Sequence, residues 1–362
     1  MADDQESFDA SAVIEAVTET LLGQPLTLTR LEVAKKSGLP PELNAARWRA
    51  LGFPEVADDD VAFTKADVDA IKATETLIKL GFIDPESEES FIRTVGRTFA
   101  RLAEWQVRAM LRSVLESESE SGKVSGREIK QMNEMLRLGS KMQDYVWRRH
   151  LVGAATRAVL QYSSEIDGDL ETACAGFVDI VGYTTRSRSM TSDELSALVE
   201  RFESVVTDLI TEHQGRVVKT IGDEIFFVVD DPIDAAWLAV ELTEQHVHDE
   251  SFPNVRVGMA HGDLLNRLGD VFGPTVNMAS RLTSAARPGR AVLDPDLAEL
   301  AKGTPGLKLR RMPRMRVKGF ETVEPWSVKR ERDGRRGLRS TVGHIIEDAA
   351  EDVAMRLPQR EE

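Results

Sequence analysis

The apolar positions change period halfway along the chain. Through the first 150 residues they recur every three to four positions, the spacing of amphipathic helices; from about residue 170 they gather in short blocks separated by helical stretches. Residues 10–23 (ASAVIEAVTETLLG) predict a helix closed by its glycine. Residues 27–53 predict short helices broken at Ser37–Gly38 and after Gly52. Between Pro85 and Leu115, the residues Phe91, Val95, Phe99, Leu102, Val107, Leu111 and Leu115 trace one face of a long helix. ESESESG then interrupts it, and Ser125 with Glu128 offers a capping box for a further helix through Met132, Met135, Leu136, Met142 and Val146. Residues 151–168 read as a linker running into the polar stretch SSEIDGDLE.

The second half alternates strand and helix. ACAGFVDIV has the apolar density of a buried strand. A capping box at Thr191 and Glu194 opens a helix with Leu195, Leu198, Phe202, Val205 and Leu209 on one face, ending near Gly215. RVVKTI and EIFFVV flank Gly222–Asp223 and predict a hairpin with a two-residue loop. DPIDAAWLAVELTEQ supplies a second helix and VRVGMAHG another strand. The order β-α-β-β-α-β is the ferredoxin-like arrangement, so the fold class is α+β, preceded by an all-α domain.

Composition narrows the picture. The 362 residues leave room for two domains, and 41% hydrophobic content supports buried cores. A formal charge of −15 argues against nucleic acid or an anionic membrane as the main partner. The single Cys174 has no partner for an intrachain disulfide. Neither a signal peptide nor an 18-residue apolar run is present, so the expectation is a soluble, cytoplasmic protein without a membrane span.

The chemistry lies in three spaced motifs: Asp179 in FVDIVGYT, Lys219 and Asp223 in VVKTIGDEIFF, and Asp270, Asn277 and Arg281 in GDVFGPTVNMASR. Two carboxylates suit a hard metal ion. Asn277 and Arg281 stand i,i+4 on a predicted helix and share a face. The backbone after Asp179, around Gly182 and Thr184, offers N–H groups to phosphate oxygens.

Taken in order, these motifs resemble the catalytic domain of class III nucleotidyl cyclases in its adenylyl form, over roughly residues 168–330. The resemblance implies cyclisation of ATP to 3′,5′-cyclic AMP and pyrophosphate. Asp179 and Asp223 would hold two Mg2+ or Mn2+ ions per site, which stabilise the attacking and leaving oxygens. Lys219 and Asp270 would read the base. Adenine presents an acceptor at N1 and a donor at its 6-amino group, which a donor-only lysine and an acceptor-only aspartate complement. Asn277 would orient the ribose and Arg281 stabilise charge on the α-phosphoryl group. Lys318, among Arg310, Arg311, Arg314 and Arg316, resembles the family lysine that contacts the β and γ phosphates. Tyr183 departs from the pattern at a position where Phe is common. Class III sites form across a dimer, with metal aspartates from one subunit and the remaining groups from the other. This chain carries both sets, which implies a homodimer with two equivalent sites.

The expected organisation is a helical regulatory domain over 1–150, a linker over 151–168, the catalytic domain over 169–330 and a tail over 331–362. The first half most resembles the regulatory domain of two-domain soluble adenylyl cyclases of mycobacterial type, which implies autoinhibition, with His150 near the linker as a candidate pH-sensitive group. Its residues 30–53 also look like a helix-turn-helix, with Gly38 at the turn and Arg47 and Arg49 on the second helix. Three alternatives stand beside the main reading. One is a diguanylate cyclase, suggested by the IGDEIFF hairpin although Ile221 replaces a glycine there. The others are a guanylate cyclase and a catalytically silent nucleotide- or DNA-binding regulator.

Overall fold

The computed structural model describes residues 18–19, 21–116, 126–162, 170–316 and 322–331. The chain divides into two compact units, residues 1–157 and 158–362. The predicted helix over 10–23, the capping box at Ser125, most of the C-terminal tail and Lys318 lie wholly or largely outside the described residues.

In the first unit, α1 (Arg30–Ser37) opens on a capping box between Thr29 and Glu32 and closes on Gly38, whose positive φ of 78° forms the turn. Then come α2 (Pro41–Ala50), α3 (Lys65–Lys79), α4 (Glu88–Glu116) and α5 (Gly126–Tyr162). A small core of Leu28, Val33, Phe63 and Val68 is backed by Trp48. Arg47, on the second helix of the helix-turn-helix pattern, does not face solvent. It is buried, with Nη2 2.7 Å from Glu75 and Nε donating to Glu88 at 2.6 Å, so it ties α2 to α3 and α4. The other arginine on that helix, Arg49, pairs with Glu55. Through the first part of the expected linker, residues 151–162, α5 continues as helix. The segment AATRAVLQY is rich in good helix formers, with three alanines, Arg157, Leu160 and Gln161, and holds neither proline nor glycine to stop the helix.

The second unit contains β1 (Leu170–Ile180), α6 (Tyr183–Ser187), α7 (Ser192–Glu212), β2 (Arg216–Ile221), β3 (Glu224–Val229), α8 (Pro232–His248), β4 (Val255–Arg267), β5 (Asp270–Phe272) and α9 (Pro274–Ala285). It continues with β6 (Arg290–Leu293), α10 (Pro295–Leu300), β7 (Leu307–Arg311), β8 (Met315–Arg316), β9 (Thr322–Val323) and β10 (Trp326–Arg330). The main sheet runs β2-β3-β1-β4-β6-β10-β7, with β5 paired to β4. Its first four strands are the ferredoxin-like core, β1 lying between β3 and β4 and antiparallel to both. The three further strands widen the sheet, β6 joining β4 in parallel.

Alternation along β1 splits the core into two layers. Cys174, Val178 and Ile180 pack with Phe202, Val206 and Ile210 of α7 and with Leu238 and Leu242 of α8. Ala173, Ala175 and Phe177 face the other way, toward Phe226, Ala260 and Ala279 of α9. Burial pushes the Cys174 thiol far up, which leaves it a small apolar filler. The fit of α9 on the sheet depends on Gly258. A β-carbon there would stand 2.1 Å from the Thr283 backbone nitrogen and 2.6 Å from the Ala279 carbonyl oxygen.

Candidate active site

Asp179 is the penultimate residue of β1, opposite Glu224 on β3 and Arg256 on β4. The β2–β3 hairpin pairs Ile221 with Glu224, so Gly222 and Asp223 form its two-residue loop, Gly222 with φ of 65°. The loop carbonyl of Asp223 accepts from the Ile180 N–H at 3.3 Å, which fastens the loop beside the end of β1. The two aspartates expected to act together are thus neighbours. Sequence reasoning missed the two groups between them, Glu224 and Arg256. Arg256 donates from Nε to Asp179 Oδ2 at 3.1 Å, and its Nη2 bonds the same oxygen. Burial raises the Asp223 carboxyl above its usual range, and the nearby charge of Asp179 adds to the effect while Arg256 opposes it. Burial, then Asp179 and Asp223, push Glu224 up to about 7. Three carboxylates thus crowd one guanidinium.

The donor set fits a divalent cation of hard, oxygen-preferring type. Asp179 and Asp223 supply carboxylate oxygens, and crowding of like charge is what a cation would relieve. No cluster of three or more His, Cys, Asp or Glu arranged to cage a metal occurs among the described residues. A two-carboxylate site suits Mg2+, which keeps waters and substrate phosphates as its other ligands.

Lys219 of β2 and Asp270 of β5 meet directly, Nζ donating to Oδ2 at 2.5 Å. Asp270 Oδ1 accepts from the Val271 N–H at 2.9 Å, which fixes the carboxylate plane. The ammonium also stands 5.9 Å from the ring centres of both Phe226 and Phe272. Phe226 is fully buried and stacks on Phe177 with rings 4.5 Å apart, whereas Phe272 is 47% exposed.

Asn277 and Arg281 share the exposed face of α9, while Ala279 and Leu282 of the same helix are buried. Neither side chain has a hydrogen-bond or ion-pair partner among the described residues. Gly182 adopts φ of 70° and starts α6; its carbonyl takes the N–H groups of Thr185 and Arg186, which leaves the preceding first-turn amides of Tyr183 and Thr184 outside the helix ladder. Tyr183 packs partly against the core, a place either aromatic fills.

The sequence signals for the missed pair were present. Glu224 follows Asp223 directly, and Arg256 is the one charged residue in the apolar start of its strand, VRVGMA. What the sequence does not carry is the β1–β4 register that sets Arg256 opposite Asp179.

Residues 168–330 match the Adenylate and Guanylate cyclase catalytic domain, and residues 6–151 match the Adenylate cyclase regulatory domain. An adenylate cyclase of Glutamicibacter nicotianae is 34% identical over 331 residues, covering 87% of this chain and 82% of that protein. One from Streptomyces coelicolor is 35% identical over 346 residues, covering 88% and 89%. A pH-sensitive adenylate cyclase of Mycobacterium tuberculosis is 30% identical over 298 residues, covering 79% and 73%. No described helix is long and apolar enough to cross a membrane. With likeness of this extent over both halves, the chain belongs to the class III adenylate cyclases of the two-domain bacterial type, an enzyme with a cyclase catalytic domain behind a regulatory one.

Proposed function

We propose that this adenylate cyclase reads ATP through Lys219 and Asp270, at sites shared between two copies of the chain, and that its first half restrains it. The observation that carries the base reading is the 2.5 Å contact between the Lys219 ammonium and the Asp270 carboxylate. A donor-only and an acceptor-only group held side by side match adenine's N1 and 6-amino group, which are neighbours on one edge. Guanine presents the reverse order and leaves both groups mispaired.

Asp179 and Asp223 hold Mg2+ or Mn2+, two ions per site, and such ions supply stabilisation of the entering ribose oxygen and the departing pyrophosphate. Arg256 keeps the Asp179 carboxylate oriented. Asn277 positions the ribose and Arg281 meets the charge that builds on the α-phosphoryl oxygens; their exposure and lack of partners among the described residues leave both available. The backbone at Gly182 and Thr184 contributes amides to phosphate oxygens. Lys318 joins the β and γ phosphates in this reading, on the strength of its motif alone.

No hydrogen bond or ion pair among the described residues links Asn277 or Arg281 to the Asp179–Asp223 cluster. The chain carries both residue sets of a shared class III site, and in this reading the protein acts as a cytoplasmic homodimer with two equivalent sites. In the same reading residues 1–150 form the restraining domain, 151–168 the connection to it, 169–330 the catalytic domain and 331–362 a tail.

Complementation tests the shared site. Asp179→Ala and Arg281→Ala chains should each be inactive with ATP and manganese, and a mixture should regain activity through one intact site per heterodimer. Two folded, dimeric variants that stay silent when mixed would sink the shared-site reading. Separately, a fragment spanning residues 160–335 should outpace the full chain if the first half restrains catalysis; equal rates would remove that claim.

A further inference from the structure

We infer that Phe272 is an affinity-bearing wall of the nucleotide site, an aromatic face on which the purine ring stacks. The inference rests on the assignment of Lys219 and Asp270 as readers of the base edge. Two phenylalanines flank the Lys219 ammonium at equal distance, but their situations differ. Phe226 is fully buried and parallel to Phe177 within 7°, so both its position and its faces are committed to the core. Phe272 sits two residues after Asp270, on the three-residue strand β5, and leaves nearly half its surface in solvent. Its partner across the β4–β5 ladder, Leu265, is also exposed.

An uncovered aromatic beside a polar pair matched to a base edge is the arrangement that single nucleobases occupy: hydrogen bonds at the edge, a ring against the face. The distances permit it. A base bonded to Lys219 begins about 3 Å from Nζ, and the Phe272 ring centre is 5.9 Å from the same atom. The two rings can therefore reach the 4.5–7 Å separation typical of aromatic pairs. Stacking is indifferent to which base is bound, whereas the Lys219–Asp270 edge is not. Phe272 thus supplies affinity for a purine, and the polar pair chooses which purine.

That division of labour sets the test, run on the full-length protein. Phe272→Ala should raise the KM for ATP by about 5- to 150-fold, with kcat changed far less, because a stacked base is held equally in ground and transition states. It should weaken inhibition by GTP by a similar factor, so the ratio between the nucleotides is kept. Phe272→Leu, which retains apolar volume without a π face, should resemble the alanine variant, and Phe272→Tyr should resemble the wild type. A leucine variant as good as phenylalanine, or an alanine variant with unchanged KM, overturns the stacking role. Lys219→Ala separates the premise: it should erase the preference for ATP over GTP. Loss of preference there with no effect at Phe272 defeats the stacking inference alone. Preserved preference in Lys219→Ala defeats the base reading, and the inference falls with it.

Discussion

Replacing Gly258 by alanine should disable the site without touching any residue in it. The β-carbon would lie 2.1 Å from the Thr283 nitrogen, 2.5 Å from its hydroxyl and 2.6 Å from the Ala279 carbonyl oxygen. The hydroxyl can rotate aside, but the other two are backbone atoms of α9 and can recede only if the helix does. Ordinary contact begins near 3.4 Å, so α9 must lift from β4 by about 1.3 Å, that is 3.4 less 2.1. Asn277 and Arg281 ride on that helix, and a displacement of about 1 Å is enough to cost roughly 100-fold in rate where positioning dominates. Overpacking of this kind also costs about 1–3 kcal/mol of stability. Steady-state cyclic AMP production and urea unfolding measure the two effects on one preparation. Gly139→Ala is the control: it sits in α5 with nothing within 4 Å of the new carbon, and should leave activity alone. Wild-type kcat in a folded Gly258→Ala enzyme would refute the claim that helix height above the sheet sets catalytic geometry.

Other expectations follow from single features. Leu268, the first residue of the β4–β5 turn, has φ of 54°, and the next, Gly269, has 79°. The β-carbon crowds the following carbonyl there and an apolar side chain offers no local hydrogen bond in return, so Leu268→Asn should raise stability by about 1 kcal/mol in chemical denaturation; an unchanged midpoint would contradict the strain. Removing Arg47 leaves Glu75 and Glu88 facing each other without a cation, and Arg47→Ala should destabilise the first unit by about 3 kcal/mol, read by thermal unfolding. Burial raises the Asp294 carboxyl to about 6, against amides from Leu297 and His261 that hold its anion. A raised carboxylate binds more protons in the folded state, so its contribution is full at low pH and is lost as pH rises through 6. Relative to Asp294→Asn, which does not titrate, the wild type should lose about 2 kcal/mol between about pH 4.5 and about pH 7.5; parallel curves would refute the burial argument.

Legibility from sequence followed the range of the interaction. The capping box at Thr191, the two-residue loop at Gly222–Asp223 and the shared face of Asn277 and Arg281 depend on residues within four positions of one another, and each is found as expected. The meeting of β1 with β3 followed from the ferredoxin-like order. Arg256 and Glu224 escaped notice because their role arises from cross-strand register, a long-range property. The same holds for Arg47: a basic residue on a helix reads as exposed until the carboxylates of two other helices are seen to enclose it. The end of α5 was left open by the sequence. Polar residues near 163 mark the expected linker's end, and the helix reaches Tyr162 through a segment without proline or glycine.

The strict alternation along β1 also limits how this lineage can change. Asp179 points where it does because four alternate residues before it, Glu171, Ala173, Ala175 and Phe177, share its side of the sheet. Point substitutions leave that order standing. Insertion or loss of one codon between Ala173 and Val178 would offer an apolar side chain to the hairpin and turn the carboxylate into the layer beneath α7 and α8. Heritable length variation in this strand is therefore tolerable only two residues at a time, and variation in reading length should collect instead in the turns that join the strands.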